Sequence, residues 1–276
     1  MLVLYRLACR WPLGLLHGLG ALLGWLTWLA SPTYRRRFAG HARLAGYRFA
    51  QVRPAIAHAG RMALETPRLW FGPPVPVQWD GADLVDAAYA AGKGVVFFTP
   101  HLGCFEITAP SVAARYHAAH GPLTVLYRPA RQAALARVLE TARQREGLQT
   151  APTTLAGVRQ MIKALRAGRA VGLLPDQVPP EGMGQWTPFF GRDAYTMTLA
   201  ARLALQTGAT PLSVWGERLP RGRGFCLHFR ALSEPLAGPL EAAVVQINRE
   251  MERLIRECPQ QYLWGYGRYK TPRKEL

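Results

Sequence analysis

Apolar residues fall into three kinds of run along this chain: one long and unbroken, several short and unbroken, and several at helical spacing. The long run is residues 11–30, WPLGLLHGLGALLGWLTWLA, whose only polar side chains are His17 and Thr27. As a helix its 20 residues span ~30 Å, the thickness of a bilayer's hydrocarbon core. Arg6 and Arg10 precede it and Arg35, Arg36 and Arg37 follow. Basic flanks on both sides predict a membrane-associating helix, spanning or interfacial, in preference to a buried core helix or a cleaved leader.

Residues 38–69 have helical spacing broken by Pro54 and Pro67, which predicts two helices, and FGPPVPV over 71–77 reads as a linker. Short apolar runs at 94–99, 123–127, 170–174, 210–215 and 225–229 predict strands. Helical spacing occupies 106–120, 131–145, 154–167 with Thr154 as cap, 194–207 and 240–256. This alternation predicts one α/β domain over residues 38–276, a mostly parallel or mixed sheet covered by helices, behind a membrane-anchoring segment over 1–37. Functional loops are then expected at the C-terminal ends of the strands.

Charge sharpens the picture. Lys+Arg number 34 against 17 Asp+Glu, a formal charge of +17, and only four of the basic residues are lysines. Such a surface suits an anionic membrane, an acidic soluble partner or nucleic acid. Nucleic acid lacks any supporting motif: there is no zinc-finger spacing, no RNP-like aromatic strand and no basic helix repeat. Cys9, Cys104, Cys226 and Cys258 are far apart, so neither a disulfide framework nor a metal site is predicted.

Three apolar strands in succession end in chemistry-bearing residues. The first runs through TPHLGCFE, giving His101 and, five residues on, Glu106. On one regular helix such a pair diverges by ~140°, so His101 belongs in the strand-exit loop and Glu106 in the first turns of the next helix, with Gly103 easing the turn. There the carboxylate is expected to hold one imidazole nitrogen and leave the other as a base for a hydroxyl. N–H groups at the helix start are expected to face developing negative charge. The bland alternative is a structural hydrogen bond, and Cys104 is expected to pack. The next strand ends at Tyr127-Arg128 and the following one at Pro175-Asp176-Gln177. Arg128 would stabilise an oxyanion or phosphate, or else form a surface salt bridge. Asp176 would orient Arg128 or Arg159, or form a structural pair. Residues 177–191 show no obvious regular element; Trp186, Phe189 and Phe190 there read as a lid or as packing. Thr196 is expected to cap or pack.

These blocks carry a family resemblance. HLGCFE, YRP, the helix bearing Arg159, LLPDQ, TPFFGRDAYT and PQQYLWGYGRYK occur in the order seen in bacterial lipid A biosynthesis (late) acyltransferases, within the wider glycerolipid acyltransferase group marked by HX4(D/E). The chain resembles them over nearly its whole length. It departs where the family often has Asn-Trp before the glutamate, here Cys104-Phe105, and where a histidine is usual between Trp264 and Arg268. The resemblance implies transfer of a fatty acyl chain from acyl-carrier protein, or acyl-CoA, to a hydroxyl of a membrane glycolipid. The acceptor implied is a lipid A precursor, and the place is the cytoplasmic face of the bacterial inner membrane. His101 would be the base, Glu106 its partner or a directly catalytic carboxylate, and Arg128, Arg159 and Asp176 the supporting site; no metal or cofactor is implied. Other acceptors, such as an ornithine lipid or an aryl polyene, stay open, as does thioester hydrolysis.

Overall fold

A computed structural model describes residues 8–127 and 145–274. Its centre is a mixed sheet of seven strands in the order β1-β9-β8-β2-β5-β3-β4. These are β1 (Val77–Asp80), β2 (Val95–Phe98), β3 (Leu123–Tyr127), β4 (Leu148–Pro152), β5 (Ala170–Leu173), β8 (Thr210–Arg218) and β9 (Phe225–Ala231). Every pairing is parallel except β8 with β9. Strand β2 is buried throughout, which is why it reads as an unbroken apolar run and not as an alternation. Val95 and Phe97 face a layer made by α5 (Ala82–Ala90) and α6 (Phe105–His120). Val96 and Phe98 face α7 (Leu155–Arg166), α8 (Leu199–Thr207) and α9 (Leu240–Glu257). Thr154 caps α7 as expected, its side chain accepting from the Gly157 N–H.

Upstream lie α1 (Leu13–Ala30), α2 (Pro32–Leu44), α3 (Phe49–Val52) and α4 (Pro54–Phe71). Helix α4 continues through Pro67, where the sequence predicts a break. Helix α1 runs antiparallel along α4 at the closest approach glycine allows: a Cβ on Gly24 would lie 2.1 Å from the Ile56 carbonyl oxygen, and one on Gly60 2.0 Å from that of Gly20. The opposite face of α1 is a stripe of exposed leucines, Leu15, Leu19, Leu22, Leu26 and Leu29. The helix is long and apolar enough to cross a membrane, with a mean hydropathy of 1.5.

One expected loop is a hairpin. Strands β6 (Gly184–Phe189) and β7 (Arg192–Met197) pair antiparallel about Phe190-Gly191, so the following helix begins at Leu199 and not at 194. Phe190 and Gly191 take φ of 48° and 75°, the left-handed pair a two-residue hairpin needs. Phenylalanine rarely adopts that conformation, so the sequence gives no turn signal. Tertiary contacts hold it: the Phe190 N–H donates to Glu252 at 2.6 Å and Arg256 sits 5.0 Å over its ring. Phe189 and Phe190 are buried, whereas Trp186 is exposed. Strands β1 and β4 and helix α5 also go unpredicted, being short and weakly patterned. The helix expected over 131–145 lies almost wholly outside the described residues.

Candidate active site

Strands β2 and β5 are parallel neighbours, with Phe98 opposite Leu173, and the Thr99 N–H continues the ladder to the Leu173 carbonyl at 3.1 Å. His101 and Asp176 each follow their strand's last paired residue by three positions, so register alone brings them together. Asp176 Oδ1 lies 2.9 Å from His101 Nδ1, and Oδ2 accepts the His101 backbone N–H at 2.9 Å. The Tyr262 hydroxyl donates to Oδ2 at 3.4 Å. Asp176 is fully buried. Burial by itself would raise its pKa, but the His101 charge, the two His101 hydrogen bonds and the nearby Arg268 guanidinium hold it below the ordinary carboxylate value. An ionised carboxylate only accepts, so Nδ1 is the donor in this bond, and in the neutral ring it is Nε2 that presents a lone pair. The ring plane is fixed by Tyr266, stacked at 4.9 Å, and by the edge of Phe105 at 5.0 Å. Gln177 Nε2 approaches His101 Nε2 to 3.4 Å.

This corrects the expected dyad. The carboxylate on the imidazole is Asp176, and Glu106 instead accepts the Trp70 indole N–H at 3.1 Å. Among the described residues, Asp176 also makes no hydrogen bond or ion pair with the expected Arg159. Geometry explains both outcomes. Glu106 is the second residue of α6 and leaves that helix in a different direction from the strand-exit loop, while Asp176 arrives in register at Nδ1. Gly103 does make the turn, with φ of 59°, and a Cβ there would lie 2.0 Å from the Gly216 carbonyl oxygen. The N–H groups of residues 101–104 are already bonded, to Asp176 and to the carbonyls of Pro100, Gln261 and Gly216. The helix start therefore offers no donor before Phe105. Cys104 is buried in the core and its thiol is pushed well above its usual pKa by desolvation, as a packing cysteine's is.

Glu106 lines a cavity of about 220 Å³ between α6 and the sheet, floored by Phe97, Val125, Leu173 and Val214. Thr99, Phe105 and Gln177 carry this lining to the imidazole. At its edge the Arg145 guanidinium donates to the carbonyls of Leu69 and Trp70. Desolvation lowers the Arg145 pKa, and the charge of Glu106 opposes the shift. Arg159 is exposed on α7, and no hydrogen bond or ion pair joins it to His101, Glu106 or Asp176. Arg128 lies outside the described residues. Thr196 is buried and bonded to Arg268 and Asn248, as a packing residue should be. Trp70, Tyr262 and Tyr266 escape sequence reasoning: both tyrosines lie in a recognised block without an assigned role, and nothing near Trp70 in the sequence points to Glu106.

A carboxylate-oriented imidazole whose Nε2 faces the Gln177 amide, at the C-terminal edge of a mixed sheet and beside an apolar cavity, is an arrangement able to take a proton next to an apolar substrate. The chain belongs to the bacterial lipid A biosynthesis acyltransferase family, whose profile matches residues 31–271. It is 27% identical over 217 residues to the lipid A biosynthesis palmitoleoyltransferase of Escherichia coli (strain K12), covering 77% of this chain and 69% of that protein. The lipid A biosynthesis lauroyltransferase of the same organism is 26% identical over 220 residues, with 77% and 69% covered. A lipid A biosynthesis acyltransferase of Shigella flexneri is 27% identical over 217 residues. The protein is thus an acyltransferase of this family.

Proposed function

We propose that this acyltransferase moves a fatty acyl chain from the thioester of acyl-carrier protein, or of CoA, to a hydroxyl of a lipid A precursor at the cytoplasmic face of the bacterial inner membrane. The observation that carries the mechanism is the Asp176–His101 contact of 2.9 Å, which leaves Nε2 as the base. In the proposed reaction Nε2 takes the acceptor's hydroxyl proton as its oxygen attacks the thioester carbonyl carbon. A tetrahedral oxyanion forms, the C–S bond breaks, and the imidazolium returns its proton to the departing thiolate. Asp176 stabilises the imidazolium. Glu106, held by Trp70 at the cavity wall, orients the attacking hydroxyl. Arg128, which directly follows β3, is assigned to the oxyanion or to a phosphate of either substrate, and Arg159 to a supporting positive charge. The leucine stripe of α1 and the net positive charge hold the enzyme against anionic lipid and attract the acidic carrier protein.

The test is product analysis with labelled acyl-carrier thioester and membrane lipid, followed by mass spectrometry of the lipid. One lipid species should gain one acyl group. Release of free fatty acid alone would make the protein a thioester hydrolase. His101→Ala should cut transfer by at least ~10²-fold with the fold intact by circular dichroism; unchanged turnover removes the base assignment.

A further inference from the structure

A reaction that joins two substrates with apolar tails needs room for both tails, and the cavity at Glu106 offers room for one. A second groove, of about 590 Å³, adjoins it on the far side of the first turns of α6. Its walls include Leu69, Pro74, Val77, Trp79 and Ile107. Pro110 and Arg145 line both spaces, so the two meet at the guanidinium that neighbours Glu106. At the groove's outer wall stands Arg115, exposed and 4.7 Å over the Trp79 ring. Among the described residues no carboxylate pairs with it. The groove thus combines an apolar floor with a cation that the Trp79 ring holds in place.

We propose that this groove takes an acyl chain of the acceptor lipid, with the acceptor's anionic head group at Arg115, leaving the cavity at Glu106 to the transferred chain. The assignment rests on the proposed acyl transfer. Two features favour the acceptor over the donor. The groove sits at the C-terminal end of α4, where Leu13 of α1 and Leu69 share one apolar cluster, on the side where a lipid stays in contact with the membrane helix. The cation at its wall matches a phosphorylated head group in the way a point of recognition for a bilayer lipid requires.

The full-length enzyme carrying Ala114→Trp tests the assignment. Ala114 is an exposed groove residue on α6, so the indole fills the space without entering the core. The KM for the lipid acceptor should rise about tenfold, the worth of two methylenes leaving an apolar site. The KM for the acyl thioester should move by less than about twofold. Ala118→Trp, exposed farther along α6 and outside the groove, should leave both as in the wild type. Equal rises in both constants, or none, overturn the proposal. Independently, a lysophosphatidate with a diazirine in its acyl chain should label wild-type peptides within 72–79 or 111–115; labels confined to 97–99, 123–127 or 172–177 overturn it too. A wild type that consumes thioester without acylating lipid would instead defeat the functional reading, and the labelling pattern would still decide what the groove binds.

Discussion

In the proposed reaction His101 acts through what holds its other nitrogen. Asp176→Asn preserves size and keeps an oxygen for the His101 N–H, but it no longer offers a negative charge to the imidazolium. The expected result is a fall in kcat on the order of 10²–10⁴-fold with little change in KM, read from steady-state kinetics on both substrates. A comparable loss in KM alone would show that Asp176 merely shapes the pocket. Asp176 also links pH to stability. Its folded-state pKa is depressed, so its contribution is complete above the unfolded carboxylate value and is lost as pH falls through the folded one. At this scale HX4E in the sequence points to a histidine that the structure pairs with Asp176 and not with Glu106. Spacing along a chain says how two residues are tethered, whereas a hydrogen bond depends on direction.

The element that most exceeds its sequence signal is α1. Its histidine looks like a blemish in an apolar run, yet His17 is buried and lies 2.9 Å from Glu65 of α4. Glu65 in turn receives Arg218 of β8 through hydrogen bonds of 2.6 to 2.9 Å. The Arg218 backbone N–H and carbonyl both bond the Gln261 side chain, and the Gln261 carbonyl accepts Gly103, so the network reaches the loop bearing His101. Burial would raise the Glu65 pKa, but Arg218 and His17 bring it down from 4.5 to about 2. The stabilisation from Glu65 is thus fully present above pH 4.5 and disappears as pH falls towards 2. Glu65→Gln strands Arg218 as a buried, unpaired charge and should cost ~3–5 kcal/mol, visible in chemical denaturation at pH 7. Its melting temperature should also vary less between pH 5 and pH 2 than the wild type's. Two of the four glycines in α1, Gly20 and Gly24, are likewise explained only by the helix beside it, whose backbone they meet directly.

For the molecule as a whole, the charge of +17 and the exposed leucine stripe act in one direction. Leu22→Asp combined with Leu26→Asp should lower binding to anionic vesicles at least about tenfold in co-sedimentation, because each leucine is worth ~1.5–3 kcal/mol when buried. Both side chains are more than half exposed, at 57% and 53%, so the melting temperature in detergent should hold. Binding that survives the change would move the membrane contact elsewhere. Added salt should weaken the residual, purely electrostatic attachment.

Much of this architecture is written in local pattern. Largely apolar runs mark β2, β3 and β5, because strands covered on both faces tolerate little alternation, and the residues that follow β2 and β5 bring His101 and Asp176 together at the sheet's rim. The apolar N-terminal helix and the ordered blocks of the family are equally plain in one dimension. What no window of sequence contains is which groups meet. Parallel register sets Asp176 against His101, the end of α4 carries Trp70 to Glu106, and packing forces Phe190 into a turn it would not choose by itself. Those contacts join residues tens of positions apart, and their geometry exists only once the sheet has closed.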